Sequence, residues 1–165
     1  MAKAKTGSFY IRRDVDCSAT SPGTLTIDTS AYVDPADRQG LMIQEVDFIF
    51  YNSATNLPFL TANEATAAQL LSGAYTTMQP YSEEDLIASG GIVHDSGSGV
   101  FAANDVFPDV LGTQDGRIVV DDQMSLLGKS ASAFANCTCT VIIKAKVVTL
   151  SNKDYMALAL QTVAN

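Results

Sequence analysis

Apolar and polar positions alternate mostly with period two, which predicts strands rather than helices. Residues 8–15 put Phe9, Ile11 and Arg13 on one side and Tyr10 and Arg12 on the other. After a Ser21-Pro22-Gly23 turn signal, Leu25 and Ile27 alternate with Thr24, Thr26 and Asp28. Within residues 41–51 the even positions Met42, Val46, Phe48 and Phe50 are apolar, interrupted at Gln44, while Glu45 and Asp47 take odd positions. That is the pattern of a half-buried strand with one wet face. An Asp115-Gly116 turn signal leads into a strand over residues 117–120, which feeds another over 124–127 across Asp121-Asp122. Residues 136–150 are the longest extended segment. One face carries Cys137, Cys139, Val141, Ile143, Ala145 and Val147; the other carries Thr138, Thr140, Lys144 and Lys146 and turns apolar only at Val148 and Leu150. A cover is therefore expected over the end of that second face.

Helical signals are short. Thr61-Ala62-Asn63-Glu64 has the form of a capping box before a helix over residues 65–71 that Gly73 would close. Ser82-Glu83-Glu84-Asp85 opens a brief second helix through Ser89, ended by Gly90-Gly91. A third spans residues 153–163, with Asn152 as N-cap and Asp154 in the first turn, where the helix dipole favours an anion. Its apolar face is wide: Tyr155, Leu158 and Ala159 form one stripe, and Met156, Leu160 and Val163 another. Such a helix docks on its own sheet or on a neighbour. Short helices among seven or eight strands, with long connections, fit a Greek-key sandwich and not βαβ units.

Composition adds a constraint. Of 165 residues, 47% are apolar and only 17% charged, with net charge −8. Mean hydropathy is +0.12. This excludes disorder and a generic basic nucleic-acid binder. A small domain with so few charges has trouble covering its own surface unless something else covers part of it. The charge is also uneven. Residues 1–13 hold Lys3, Lys5, Arg12 and Arg13 with no acid, leaving six basic against 18 acidic groups in the rest. The expected organisation is a basic N-terminal arm, 1–13, on a single domain, 14–165. No apolar run reaches transmembrane length, and Thr6-Gly7-Ser8 follows the first lysines where a signal peptide would be apolar, so the chain reads as made in the cytoplasm.

Candidate chemistry is sparse. Cys17, Cys137 and Cys139 make no disulfide framework and read as small core residues. The single histidine, His94, stands in no nucleophile elbow and is too few for a jelly-roll metalloenzyme. The expected catalytic and metal sites are therefore none. Asp14/Asp16, Asp34/Asp37 and Asp121/Asp122 read as turn formers and solvated faces; none matches a Ca²⁺ loop, and Ca²⁺ enters only as an ion at a subunit junction.

Taken together, the basic arm, the strand over 41–51, Asp105-Val106-Phe107-Pro108-Asp109, the strands over 117–120 and 124–127, the small-residue turn, the strand over 139–150 and the helix opened by Ser151-Asn152-Lys153-Asp154-Tyr155 resemble small single-jelly-roll major capsid proteins of icosahedral viruses, particularly those infecting prokaryotes. The resemblance implies an all-β, eight-stranded jelly-roll (Greek-key) sandwich, non-enzymatic and without cofactors, found in the virion. It implies many copies in one shell, alongside other virion proteins. Phe9, Tyr10, Tyr155, Met156, Leu158 and Leu160 are then expected at subunit contacts, and Lys3, Lys5, Arg12 and Arg13 facing the interior. Four cations are few for such an arm, which leaves genome contact open and is compatible with an inner membrane. The rival readings are a ligand- or carbohydrate-binding sandwich (an adhesin tip, phage spike or decoration protein) with an aromatic site near Tyr75, Tyr81 and Phe101, and a jelly-roll enzyme.

Overall fold

The longest alternating run becomes the strand on which the first sheet is built. The structure, a computed structural model, describes residues 2–58, 64–95, 97, 100–103, 116–133 and 135–163. In chain order its elements are β1 (Lys3–Ala4), β2 (Phe9–Asp16), β3 (Gly23–Asp28), β4 (Gln39–Asn52), β5 (Leu57–Pro58), β6 (Glu64–Ser72), β7 (Leu86–Asp95), β8 (Val100–Ala103), β9 (Arg117–Val119), β10 (Gln123–Ser130), β11 (Cys137–Thr149) and α1 (Asn152–Val163). They form two antiparallel sheets, a β-sandwich with one C-terminal helix. In the first sheet β4 lines one edge of β11 and β2 and β1 share the other; β9 and β5 pair with the far edge of β4. The second sheet runs β3-β10-β6-β7-β8.

The inner row of β11, from Cys137 to Val147, is buried at every second residue, as its alternation predicts. It meets Ile11 and Val15 of β2, Val46 and Phe50 of β4, Leu70 of β6 and Met124 and Leu126 of β10 in one core. Burying one such side chain is worth about 1.5–3 kcal/mol, so this interface dominates the stability of the fold.

The strand over 41–51 holds a surprise at Gln44. Lys144 of β11 lies opposite Glu45 while Ala145 lies opposite Ile43, so Gln44 is the extra residue of a β-bulge. A bulge inverts the phase of side chains. Val46 and Phe50 face the core on one side of it, Leu41 and Ile43 on the other. Met42, expected to share a face with Val46, points the opposite way. There it joins Val148 and Leu150, packed by Ile118, Val120, Ala2 and the α1 residues Tyr155 and Leu158. This is the cover expected over the late apolar face of β11.

The helix cap shifts by one residue. Ser151 Oγ accepts the amide of Asp154 at 3.2 Å, so Ser151 is the cap, and Asn152 Oδ1 instead accepts from the Arg38 guanidinium at 2.5 Å.

Neither short helix forms. Residues 65–71 lie in β6, a central strand whose two faces are both covered: Ala68 and Leu70 face the core, Leu71 the opposite side. Covering both faces hides the period of two, and tertiary pairing overrides the helical preference of Ala and Leu. Thr61–Asn63 lie outside the described residues. The Glu64 carboxylate takes Ser132 Oγ, the Ser132 amide at 3.0 Å and the Ala65 amide at 3.1 Å. Residues 82–85 are a turn, and Gly90-Gly91 lie inside β7 instead of ending a helix. Gly90 is needed there because the Phe48 side chain of β4 occupies the space a Cβ would take, its own Cβ only 2.6 Å from that point. Residues 73–85 cross the outer face of the second sheet as a strap. Gln69 binds Gln79 like a paired strand, donating to its carbonyl and accepting its amide, both at 2.8 Å. Tyr75 and Met78 then cap Leu71, Leu86 and Leu127.

Two stability predictions follow. Gly90→Ala should lower the unfolding free energy by about 1–3 kcal/mol through overpacking against Phe48, whereas Gly7→Ala, with nothing within 4 Å, should leave the urea midpoint in place. Glu64 is the second case. Burial works to raise its carboxyl, but the bonds from Ser132, Ala65 and Ala131 outweigh it and hold the group below the ordinary value of 4.5. The stabilisation is therefore present above about 4.5 and is lost as pH falls through the lower folded value. Glu64→Gln should be less stable than the wild type at pH 7, and the gap between their urea midpoints should narrow as pH is lowered below 4.5.

Candidate subunit-contact surface

The outer face of the first sheet follows from strand register. Across β2, β11 and β4 it reads Tyr10–Lys144–Glu45, Arg12–Ile142–Asp47, Asp14–Thr140–Ile49 and Asp16–Thr138–Tyr51. Lys144 Nζ sits 2.8 Å from Glu45 Oε1, which raises the ammonium above its ordinary value. Thr140 Oγ1 donates to Asp14 at 2.6 Å, and Asp16 accepts the Ser18 amide at 2.8 Å. Tyr10 is 63% exposed and Ile49 48%. The α1 helix covers only the end of this face nearest Met42.

Of the six residues expected at subunit contacts, Tyr10, Met156 and Leu160 face solvent, the last two at 57% and 63% exposed. The other three are engaged within the chain. Phe9 packs on Tyr32 with ring centroids 5.1 Å apart, and Tyr155 and Leu158 form the docked stripe of α1. The two stripes seen in the sequence thus divide: Tyr155 and Leu158 face the sheet, Met156 and Leu160 outward.

The four N-terminal cations do not form one patch. Lys3 lies in β1 and Lys5 pairs with Asp37 at 3.6 Å, beside the late end of β11. Arg12 and Arg13 lie in β2 opposite Ile142 and Val141 and, as neighbours in a strand, project to opposite faces. The boundary expected between residues 13 and 14 falls inside β2.

The three cysteines are buried and free. Cys17 and Cys137 are joined by an amide-to-carbonyl bond of 2.9 Å, and Gly128 leaves the space Cys17 Sγ fills. The Cys137 thiol is pushed up by Cys17 and by burial; contact with Cys137 lowers that of Cys17, but Cys139 and burial raise it further. Both stay protonated and packed. Two of the three aspartate pairs lie in turns: Asp34 accepts the Ala36 amide at 2.8 Å, and the Asp121 and Asp122 carbonyls accept from Thr29 at 2.7 and 2.9 Å; Asp14 and Asp16 instead stand on the exposed face of β2. Among the described residues no group of three or more His, Cys, Asp or Glu is placed to hold a metal ion. His94 pairs in register with Glu64 and Phe101. That places Phe101 in register beside the late end of β7, whereas Tyr75 and Tyr81 precede its start.

One polar cluster escaped the sequence reading. Tyr75 donates to buried Asp85 at 2.6 Å, Ser72 donates to Asp121, and Arg117 reaches the Glu84 carbonyl and, at 3.4 Å, that of Leu86. Burial raises the Tyr75 hydroxyl and the Asp121 carboxyl; it lowers the Arg117 guanidinium against the pull of Asp85, Glu84 and Asp121. The cluster ties the strap to β9 through Arg117 and the end of β6 to the turn between β9 and β10 through Asp121, and sequence spacing does not signal those pairings.

No protein-family model matches this sequence, and no curated protein does. Among solved structures, a chain from Desmodium yellow mottle tymovirus aligns over 87% of both chains with 9% identity and a TM-score of 0.39. The description of the fold therefore rests on the strands themselves. No helix among the described residues is long and apolar enough to cross a membrane.

The division of α1 into two stripes is testable by truncation. Leu158→Ala should cost about 1–2 kcal/mol of stability in urea titrations, below the range for a fully buried leucine. Leu160→Ala should stay within about 0.5 kcal/mol of the wild type.

Proposed function

We propose that this chain is a structural, non-enzymatic subunit of a virus particle, a jelly-roll protein that assembles with copies of itself into an icosahedral shell. The observation that carries the reading is the pairing order. Number β2, β3, β4, β6, β7, β9, β10 and β11 from one to eight. The first sheet is then 1-8-3-6 and the second 2-7-4-5. The pairs 1–8, 2–7, 3–6 and 4–5 are those of one long hairpin rolled into two facing sheets, the eight-stranded jelly roll used by viral capsid proteins, lectins and cupins.

Surface chemistry supports the first of these uses. Cupin-type metal chemistry draws on several imidazoles, and the chain has one histidine. A ring-stacking sugar site draws on gathered aromatics, and Tyr75 and Tyr81 lie at the opposite end of β7 from His94 and its partner Phe101. Meanwhile Tyr10, Ile49, Leu57, Met156 and Leu160 present apolar surface to solvent on a chain that is only 17% charged. Burial between copies removes that surface from water.

Purified protein should form particles of uniform size in light scattering and negative-stain images. Tyr10→Ser with Leu160→Ser should reduce particle yield without lowering the thermal midpoint. A chain that stays monomeric at high concentration across a range of salt would sink the shell reading, and saturable binding on a glycan array would favour the ligand-binding sandwich.

A further inference from the structure

On the outer face of the first sheet, most charged groups are engaged at home: Lys144 with Glu45, Asp14 with Thr140, Asp16 with the Ser18 amide. Arg12 and Asp47 are different. Both are exposed, and neither makes an ion pair or side-chain hydrogen bond within the described chain. They share one row, on either side of Ile142 of β11. Two strand spacings separate their backbones by about 10 Å, with a half-buried isoleucine between two opposite, unspent charges.

We propose that this face is a two-fold contact between copies of the chain, its axis running along β11 over Ile142. Rotation about an axis lying in the interface exchanges the β2 side for the β4 side. It sets Arg12 over the partner's Asp47, Asp47 over the partner's Arg12, and the two Ile142 side chains together. Tyr10 comes over the partner's Glu45, where its hydroxyl meets a carboxylate. Lys144 meets its own copy, but each ammonium is already neutralised by Glu45. Facing sheets cross at about 30°, so the match is tightest in the Ile142 row and relaxes away from it.

The occupant is a second copy because the row is complementary to itself. A partner carrying charge of a single sign would satisfy one side of Ile142 and repel the other. The three strands over four rows present on the order of 400 Å², about half of the ~800 Å² per partner of a standard stable interface. The contact is therefore weak alone and gains strength where other contacts hold the same subunits together. It deepens the shell reading and rests on it.

Charge reversal tests the contact. Arg12→Asp and Asp47→Arg, made separately, should each reduce self-association at least tenfold in sedimentation and light scattering while keeping the wild-type thermal midpoint. Each homotypic pair then carries two like-charge meetings. An equimolar mixture of the two variants should recover association, because each mixed pair restores both oppositely charged meetings. Self-association of the single variants at the wild-type level, as for a face reserved for a different protein, would overturn the contact. So would a mixture no better than its components. A wild-type chain that never associates would overturn this contact and the shell reading together; one that associates but ignores both reversals overturns the contact alone.

Discussion

The strand β11 has to bury its inner row along its full length, and the rest of the molecule is arranged to let it. Six alternate side chains from Cys137 to Val147 are at most 6% exposed. No single neighbour can cover them, so the second sheet closes over the row while β4, β2 and β1 satisfy the backbone at both edges. β4 matches β11 for thirteen pairs, which fixes where the bulge must fall and hence which residues of β4 look inward. Past the bulge the outer side of both strands becomes apolar at Met42, Val148 and Leu150, and α1 turns back to cover them. The position of the helix is a consequence of the sheet beneath it.

What the sequence disclosed tracks how many faces of each strand are wet. β11 and the far half of β4 carry polar residues on one side, so their alternation is readable. β6 and the start of β7 are covered twice, by the core and by the strap, and there a period of two dissolves into runs such as Ala67-Ala68-Gln69-Leu70-Leu71 that imitate a helix. Gln44 was visible as a break in a pattern. That the break is a bulge and not a tolerated polar residue depends on Lys144 and Ala145, a hundred positions away. The strap is held by Gln69 and Ser125, ordinary polar residues until the sheet brings them under residues 73–85, and is closed on itself by Tyr75 and Asp85.

The candidate contact surface was legible in the same partial way. Exposed apolar residues on α1 came from helical spacing alone, because Met156 and Leu160 are one turn apart and Tyr155 and Leu158 lie on the neighbouring stripe. The row Arg12–Ile142–Asp47 could not be read, since its members come from strands that sequence pattern does not align. The basic N-terminal cluster misled in the opposite direction. Proximity in sequence joined Arg12 to Arg13, and the strand separates them onto two faces.

The scarcity of charge takes on a location in this fold. A sandwich has two outer faces, and the chain covers part of each itself: the strap lies over Leu71, Leu86 and Leu127 of the second sheet, and α1 over Met42, Val148 and Leu150 of the first. The stretch of the first sheet from Tyr10 to Asp16 receives neither. Four of its six charges already hold a partner within the chain, Lys144 and Glu45 in an ion pair and Asp14 and Asp16 in hydrogen bonds, which lowers the cost of drying it, and its apolar members are separated single residues and do not make a continuous greasy patch. Such a face tolerates water when exposed and is inexpensive to bury, the combination that the proposed shell role asks of a subunit before it is tiled. The outward stripe of α1 is the complementary case. Met156 and Leu160 gain from burial anywhere, without direction, while the charged row on the sheet accepts one orientation only. In the proposed shell, adhesion from one surface and register from the other are separable requirements, and the outward stripe of α1 and the Arg12–Ile142–Asp47 row stand apart on the chain.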